Sequence, residues 1–584
     1  MQIFWKSFFA ALLALVIFSF LLFIVLMGII GGLTASQRVE TGYKAVLWID
    51  LGQMLHEQNQ SNPLATIGAD DQTDQPGIYD IVRMIRYAKQ DSSVKGIYIR
   101  ANDNPNGFGT CEEIRNALSD FSNSGKFIYA GGDIISQKAY YVASVADKVY
   151  CNPKGGVNWV GFAARLPYLK SALQKLEIDP QIIFAGKFKS ATEPLREEHM
   201  TDANRLQTTE LLATLYEHFV RKIAESRKLD TSILRKCATE HLIRSANDAF
   251  QYKLVDGLKY DDQVKDEIRE KLRIGKNEKI NFITVNKYAE AVNYKSSGRD
   301  RIALIYAEGD IISGNGDDQQ IGDDSYRKLI RNARMDKEIK AIVIRINSGG
   351  GSSIASENLW REISVARNEK PVVLSFGDVA ASGAYYLSCN ADSVFAEPTT
   401  ITGSIGVFTI IPNMQSFFKD KLGVQFDGVK TAPDADMMTY TKPLTSLQRQ
   451  FIQNEIDSIY FDFKSRVAEG RKKSMDYVEN IAQGRVWVGT TGLQLGLVDR
   501  IGDLQDAIDC AAKLARTNNY HLKEYPEPKT LFQQIFGNYR RGIHVKAIEE
   551  ELGKEGLKTY YTLRNLKEIT QGTQTRIPEI PDIE

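Results

Sequence analysis

Two long stretches of this chain repeat one another without a gap. An offset of 245 positions aligns Asp133 with Asp378. At that offset "VKGIYIRAN" (94–102) falls on "IKAIVIRIN" (339–347), and Glu112 falls on Glu357. "GDIISQKAYYVASVAD" (132–147) falls on "GDVAASGAYYLSCNAD" (377–392), Pro153 on Pro398 and Gly161 on Gly406. A match of that length is a duplicated domain, and each copy must close a core of its own. The openings agree as well, "KAVLWIDL" at 44 with "RIALIYAE" at 301, and small gaps later "KLVDGL" (253–258) still resembles "GLVDRI" (496–501). A chain of 584 residues exceeds one ordinary domain. The repeat divides it into a first domain at 44–290 and a second at 298–515.

Within each copy, short apolar runs alternate with longer amphipathic ones. "ALIYAE", "AIVIRI", "PVVLSF" and "DSVFAE" are β-branched and aromatic runs of strand length. Between them "SSIASENLWREISVARNE" has helical spacing, with Ile354, Leu359, Trp360 and Ile363 on one side. Strand–helix–strand alternation predicts an α/β fold with a mostly parallel core sheet in each copy. The charged segments 203–246 and 445–483 read as helical excursions. The tail at 516–584 is polar ("YPEPKT", "IPEIPDIE") and reads as accessory, without chemistry of its own.

From Phe8 to Leu33 no charge interrupts the sequence. About 20 apolar residues span a bilayer core, whereas the apolar region of a cleaved signal peptide runs only about 7–15 and ends in a small-residue site. Residues 1–43 therefore read as an uncleaved membrane anchor with its span at about 8–33. Lys6 before the span and Arg38 and Lys44 after it leave the orientation open.

Composition removes several function classes. Lys+Arg and Asp+Glu each number 73, so no basic excess points to nucleic acid. The five cysteines (111, 151, 237, 389, 510) form no CxxC pair, and the six histidines show no metal spacing. No metal or cofactor is expected.

The chemistry lies where the two copies differ. "RINSGGGSSIASE" (345–357) follows a strand and opens a helix, and consecutive glycines there free backbone N–H groups for a ligand. With neither the Walker lysine nor a Rossmann G-x-G-x-x-G, the turn reads as a phosphate site or as an oxyanion hole. In the first copy Asn104-Pro105-Asn106 replaces Gly349-Gly350-Gly351, and proline has no N–H to donate. Gln137 stands in that copy where the second has Ser382. Ser382 is accordingly either a helix cap or a nucleophile. A nucleophilic serine needs a base, and with histidine scarce the candidate is a lysine. A free lysine amine has a pKa of about 10.4, so neutralising it at pH 7 costs about 4.6 kcal/mol, which burial can supply. "IIFAGKFKSATEP" (182–194) offers an apolar setting for Lys189, with Ser190 placed to orient the amine. "FDGVKTAP" offers Lys430 as the alternative base.

Taken together, the anchor, the fused repeat, "FKSA" (188–191), "NSGGGS" (347–352), "AASGAYY" (380–386), "TGSIGV" (402–407) and "GRVWVG" (484–489) resemble the long-form signal peptide peptidase A family, also called protease IV. These are Ser/Lys peptidases of the ClpP/crotonase superfamily, and the resemblance covers the anchor to about residue 515. It implies tandem ClpP/crotonase-like domains, Ser382 as nucleophile and Lys189 as general base. It further implies backbone N–H groups at Gly351 and Gly383 as the oxyanion site. Where the family commonly has "NSPGGS", Gly349 replaces the proline. The expected substrates are extended apolar peptides such as cleaved signal peptides. A homotetrameric ring is implied, on the outer, periplasmic face of a bacterial inner membrane. The competing expectations are a crotonase-like acyl-CoA enzyme and a non-catalytic membrane scaffold.

Overall fold

The computed structural model describes residues 2–34, 39–59, 76–294, 297–317, 319–527 and 573–577. The chain opens with helix α1 (Gln2–Thr34), whose Phe4–Leu21 stretch has mean hydropathy 2.0 and no burial against the rest of the chain. It is long and apolar enough to cross a bilayer.

The first repeat follows as β1 (Ala45–Asp50), α2 (Ile78–Gln90), β2 (Val94–Arg100), α3 (Phe108–Ser122), β3 (Phe127–Ile135), α4 (Gln137–Ala143) and β4 (Lys148–Val157). Beyond it come β5 (Asp179–Ala185), β6 (Gly257–Leu258) and β7 (Phe282–Thr284). Six strands form one sheet in the order β6-β4-β3-β2-β1-β7, every neighbouring pair parallel. Helices on its faces explain why β2 reads as an almost unbroken apolar run.

The second repeat contains β8 (Asp300–Glu308), β9 (Asp310–Ile312), β10 (Gln320–Gly322), β11 (Ile339–Ser348) and β12 (Gly350–Ser352). It continues through β13 (Val372–Ala381), β14 (Ser393–Ala396), β15 (Ile401–Gly403), β16 (Val407–Asn413), β17 (Val486–Val488) and β18 (Arg500–Ile501). The repeat offset reappears in the element bounds: α2 and α3 correspond to helices Asp323–Met335 and Ser353–Arg367. The long charged excursions are helices Asp202–Arg227 and Ser446–Arg471. Near the C-terminus are β19 (Tyr520–Tyr525) and β20 (Gln574–Arg576). The second main sheet runs β17-β15-β13-β11-β8-β19, with β14 beside β13 and β18 beside β14.

On the helix Ser353–Arg367, Leu359, Trp360 and Ile363 are buried as the spacing predicts, but Ile354 is exposed. Ile354 lies in the first turn, before the helix axis has entered the core, so helical periodicity overstates its burial.

A third sheet joins the two repeats. Its order is β10-β9-β12-β20-β16-β5. β5 belongs to the first repeat by sequence, yet it pairs antiparallel with β16 of the second, from Ala185 opposite Val407 to Asp179 opposite Asn413. Ile183 on β5 is buried in the second repeat's core with Ile405, Val407 and Ile411. Burying such a side chain contributes roughly 1.5–3 kcal/mol.

A buried ionic cluster ties the repeats elsewhere. Arg345 on β11, with no exposed surface, lies 2.7 Å from Glu57 and 2.5 Å from Glu113, both from the first repeat. One guanidinium serves two carboxylates there, and burial pushes both acids up, Glu57 to about 7.

Candidate active site

β13 carries the chain inward and ends at a sharp turn. Ser382 follows at φ 55° and ψ −116°, and the helix Gly383–Ser388 begins at once. A non-glycine residue in that conformation costs roughly 1–3 kcal/mol. It is held there because the Ser382 N–H donates to the Gly403 carbonyl at 2.8 Å and the Ser382 carbonyl accepts from Tyr386 N–H at 2.8 Å. The turn throws the hydroxyl off the sheet edge, the same strand–turn–helix device that presents nucleophiles in other α/β enzymes. No side chain caps the helix, so the hydroxyl of Ser382 is not used as a cap.

β5 delivers the partner. Beyond its end at Ala185, Gly186 turns the chain and Lys189 points inward. The Lys189 Nζ lies 2.8 Å from Ser382 Oγ, 3.1 Å from Ser404 Oγ and 3.2 Å from the Ser404 carbonyl. Lys189 is 1% exposed and Ser382 0%. Burial alone pushes the amine well below a lysine's ordinary range, with no carboxylate opposing it. In its neutral form the amine donates its two N–H groups to Ser404 and turns its lone pair toward the Ser382 hydroxyl.

The backbone around Lys189 is clamped. Phe188 N–H donates to the Gln483 carbonyl at 2.7 Å. Gln207 Nε2 donates to the Phe188 carbonyl at 3.1 Å and to Ser190 Oγ at 2.8 Å. The Ser190 hydroxyl is thus engaged by Gln207, and the hydroxyl that meets the amine belongs to Ser404. Gly484, at φ +77°, packs so closely that a Cβ there would lie 2.6 Å from Lys189 N and 2.7 Å from its Cα.

The glycine turn lies alongside. Gly350 has φ 103° and Gly351 φ 156°. A Cβ on Gly350 would lie 2.8 Å from Gly383 N, which brings the turn against the start of the serine helix. Lys430 is elsewhere: its exposed amine donates to the Pro433 carbonyl at 2.9 Å and to Asp436 at 3.1 Å, and that carboxylate raises its pKa.

The first copy fills the same space with amide chemistry. Gln137 Nε2 donates to the Gly161 carbonyl at 3.0 Å, while its Oε1 accepts from the N–H groups of Val160 and Gly161. Trp159 stands where the offset puts Ser404, buried, its Nε1 donating to the Leu234 carbonyl at 2.8 Å. Asn106 ties its loop to the segment after β1, accepting from the Leu55 N–H and donating to the Gln53 carbonyl. Neither a free hydroxyl nor a glycine turn is left.

Comparison with known proteins agrees with this division. The profile of Peptidase family S49 matches twice, at residues 120–275 and 365–518. The chain belongs to Peptidase family S49. It is similar to Protease 4 of Salmonella typhi, 33% identical over 88% of this chain and 86% of that one. Protease 4 of Haemophilus influenzae is also 33% identical, over 75% of this chain and 72% of its own length. The chloroplastic serine protease SPPA of Arabidopsis thaliana is 29% identical over 84% of this chain and 73% of its own. This S49 chain is a serine peptidase with two family domains, α/β in fold with mostly parallel sheets, and an N-terminal apolar helix of the kind that anchors a protein in a membrane.

Sequence reasoning assigned no role to Ser404, although "TGSIGV" was conspicuous. The signal was available, because the offset sets Ser404 against Trp159, a substitution as abrupt as Ser382 for Gln137.

Proposed function

We propose that Ser382 and Lys189 form the catalytic dyad of this peptidase. Neutral Lys189 takes the proton from Ser382 Oγ as the oxygen attacks a peptide carbonyl. The carbonyl π bond opens, and the negative oxygen is held by the N–H groups of Gly351 and Gly383. The C–N bond then breaks, the leaving amine receives the proton from Lys189, and an ester to Ser382 remains. Water, deprotonated by the same amine, hydrolyses that ester and restores the hydroxyl. Ser404 positions the lone pair by accepting the two remaining N–H bonds.

The single observation carrying this reading is a lysine amine with no surrounding charge, excluded from water, 2.8 Å from a hydroxyl on a strained turn. The alternative base, Lys430, is solvated and paired with an acid, which favours its ammonium form.

The substrates are extended, apolar peptides such as signal-peptide remnants, which an anchored groove meets at the bilayer. The body faces the periplasmic side of the inner membrane and assembles as a homotetrameric ring. Exposed apolar side chains at Leu422, Phe426, Val429 and Met438 suit a face covered on assembly.

A fluorophosphonate probe followed by peptide mass mapping tests the dyad. Ser382 should carry the label in the native chain, and Lys189→Met should suppress labelling. Label on another serine overturns the assignment. Light scattering in detergent and protease access in spheroplasts test the ring and the orientation.

A further inference from the structure

β20 lies against the glycine turn beside the proposed dyad. It inserts between β12, which carries the glycine turn, and β16, which pairs with the lysine-bearing arm, and runs antiparallel to both. Gly350 faces Arg576, Gly351 faces Thr575 and Ser352 faces Gln574. Main-chain bonds fix the register at both ends: Ile577 N–H donates to the Gly349 carbonyl at 2.9 Å, and Ser353 N–H to the Thr573 carbonyl at 3.2 Å. Hydrogen-bonded pairs recur at every second residue of an antiparallel ladder. Gly351 and Thr575, midway between those two pairs, therefore form one, with the Gly351 N–H turned to the Thr575 carbonyl.

That carbonyl also lies against Gly383. A Cβ built on Gly350 would touch the Thr575 carbonyl oxygen at 2.1 Å and Gly383 N at 2.8 Å. One built on Gly383 would lie 3.1 Å from the same oxygen. Thr575 thus offers its carbonyl to the two glycines proposed to bind the oxyanion. The side chains fit equally closely. Thr575 is fully buried, its Oγ1 donating to the Gly351 carbonyl at 3.0 Å. Ser353 Oγ donates to the Thr573 carbonyl at 3.1 Å, and Arg576 pairs with Asp310 at 2.5 Å.

We propose that residues 573–577 are a built-in, substrate-like occupant of the catalytic groove. The segment binds by adding a strand, as extended peptides do, and competes with substrate for the same edge. It also reports what the groove accepts: an extended backbone, antiparallel to Gly350–Ser352, with a small uncharged side chain at the position of Thr575. The proposal rests on the dyad reading for the direction of cleavage and on main-chain geometry alone for occupancy.

Tethering gives such a segment an effective concentration on the order of mM, so even weak intrinsic affinity holds it in place. A chain ending at Gly572 and the point variant Arg576→Glu should therefore both show KM for a fluorogenic peptide lowered about threefold or more, with kcat unchanged. Added peptide TQTRI should raise KM again in the truncated chain, competitively. Unchanged KM in both variants, or non-competitive inhibition by TQTRI, overturns the proposal. Fluorescein-labelled TQTRI on Ser382→Ala chains separates this from the dyad reading, because it needs no turnover. Binding by anisotropy to the truncated Ser382→Ala chain and markedly weaker binding to the full-length one supports occupancy even if no cleavage is ever seen. Equal binding to both refutes it while leaving the dyad intact.

Discussion

Asp378, four residues before the serine, accepts hydrogen bonds at 2.8 Å from both the backbone N–H and the hydroxyl of Thr110 at the start of α3. The second repeat thereby caps a helix of the first within a few residues of Ser382. Gly107 is packed so tightly that a Cβ would lie 2.3 Å from the Asp378 carboxyl carbon. The repeats meet closely here, a few residues from the contact between Lys189 and Ser382.

The buried cluster at Arg345 is the most exposed to failure by mutation. Arg345→Met strands Glu57 and Glu113 without a counter-charge and should cost about 3–5 kcal/mol. Burial raises both acids, so the folded chain binds more protons than the unfolded one above their ordinary range, and stability falls as pH rises through that window. The deficit measured by denaturant titration should therefore be larger near pH 8 than near pH 5. An equal deficit at both would mean that the acids remain charged throughout.

Activity should depend on one lysine. Lys189→Ala and Ser382→Ala should each lower kcat by at least about 10²–10⁴-fold, with far-ultraviolet circular dichroism unchanged. Lys430→Ala should leave peptide cleavage as it was. The reverse pattern would move the base to Lys430.

Burying an amine carries a stability cost whose sign can be tested. The folded-state pKa of Lys189 is depressed, so between that value and about 10.4 the unfolded chain binds the extra proton and stability climbs with pH. Lys189→Met removes the penalty. Its melting temperature should exceed that of the native chain at neutral pH, and the gap should close as pH approaches about 10. A gap independent of pH would mean that the amine is charged in the fold.

Ser404→Ala removes one of the acceptors that aim the amine. kcat should fall about tenfold to a hundredfold with little change in KM, and Ser404→Thr should restore part of it. The acid limb of the kcat/KM profile should also move to lower pH, since an ammonium with one acceptor fewer is harder to form. A stability loss without that displacement would make Ser404 merely structural.

Gly484→Ala tests the clamp from behind. The added methyl must displace the backbone of Lys189, and φ +77° is itself unfavourable for alanine. A displacement of even 1 Å at a catalytic group costs about 10²-fold in rate. Cleavage assays paired with thermal melts should show activity falling further than stability.

Strand positions were legible in this sequence because buried parallel strands spell themselves as apolar runs, and the duplicated register supplied each run twice. The flanks of Lys189 likewise announced a dry environment. The exchange of β5 onto β16 was not legible, since nothing local distinguishes a strand that pairs within its own repeat from one that pairs across. Adjacency alone points to Ser190 as the residue that orients the amine, whereas Ser404 arrives through a fold contact. The tail segment at 573–577 escaped notice because it binds mainly through its backbone, which leaves no pattern in side chains.

The division of the site between repeats has a consequence for biosynthesis. Lys189 and Ser382 are 193 positions apart, and the lysine-bearing arm finds its strand partner only in the later half. Under the proposed dyad, a nascent chain leaving the ribosome carries a first half without a nucleophile, and hydrolysis becomes available only after the second half has been translated and has closed on the first. A dyad so divided spares the cell a protease at work while it is still being made.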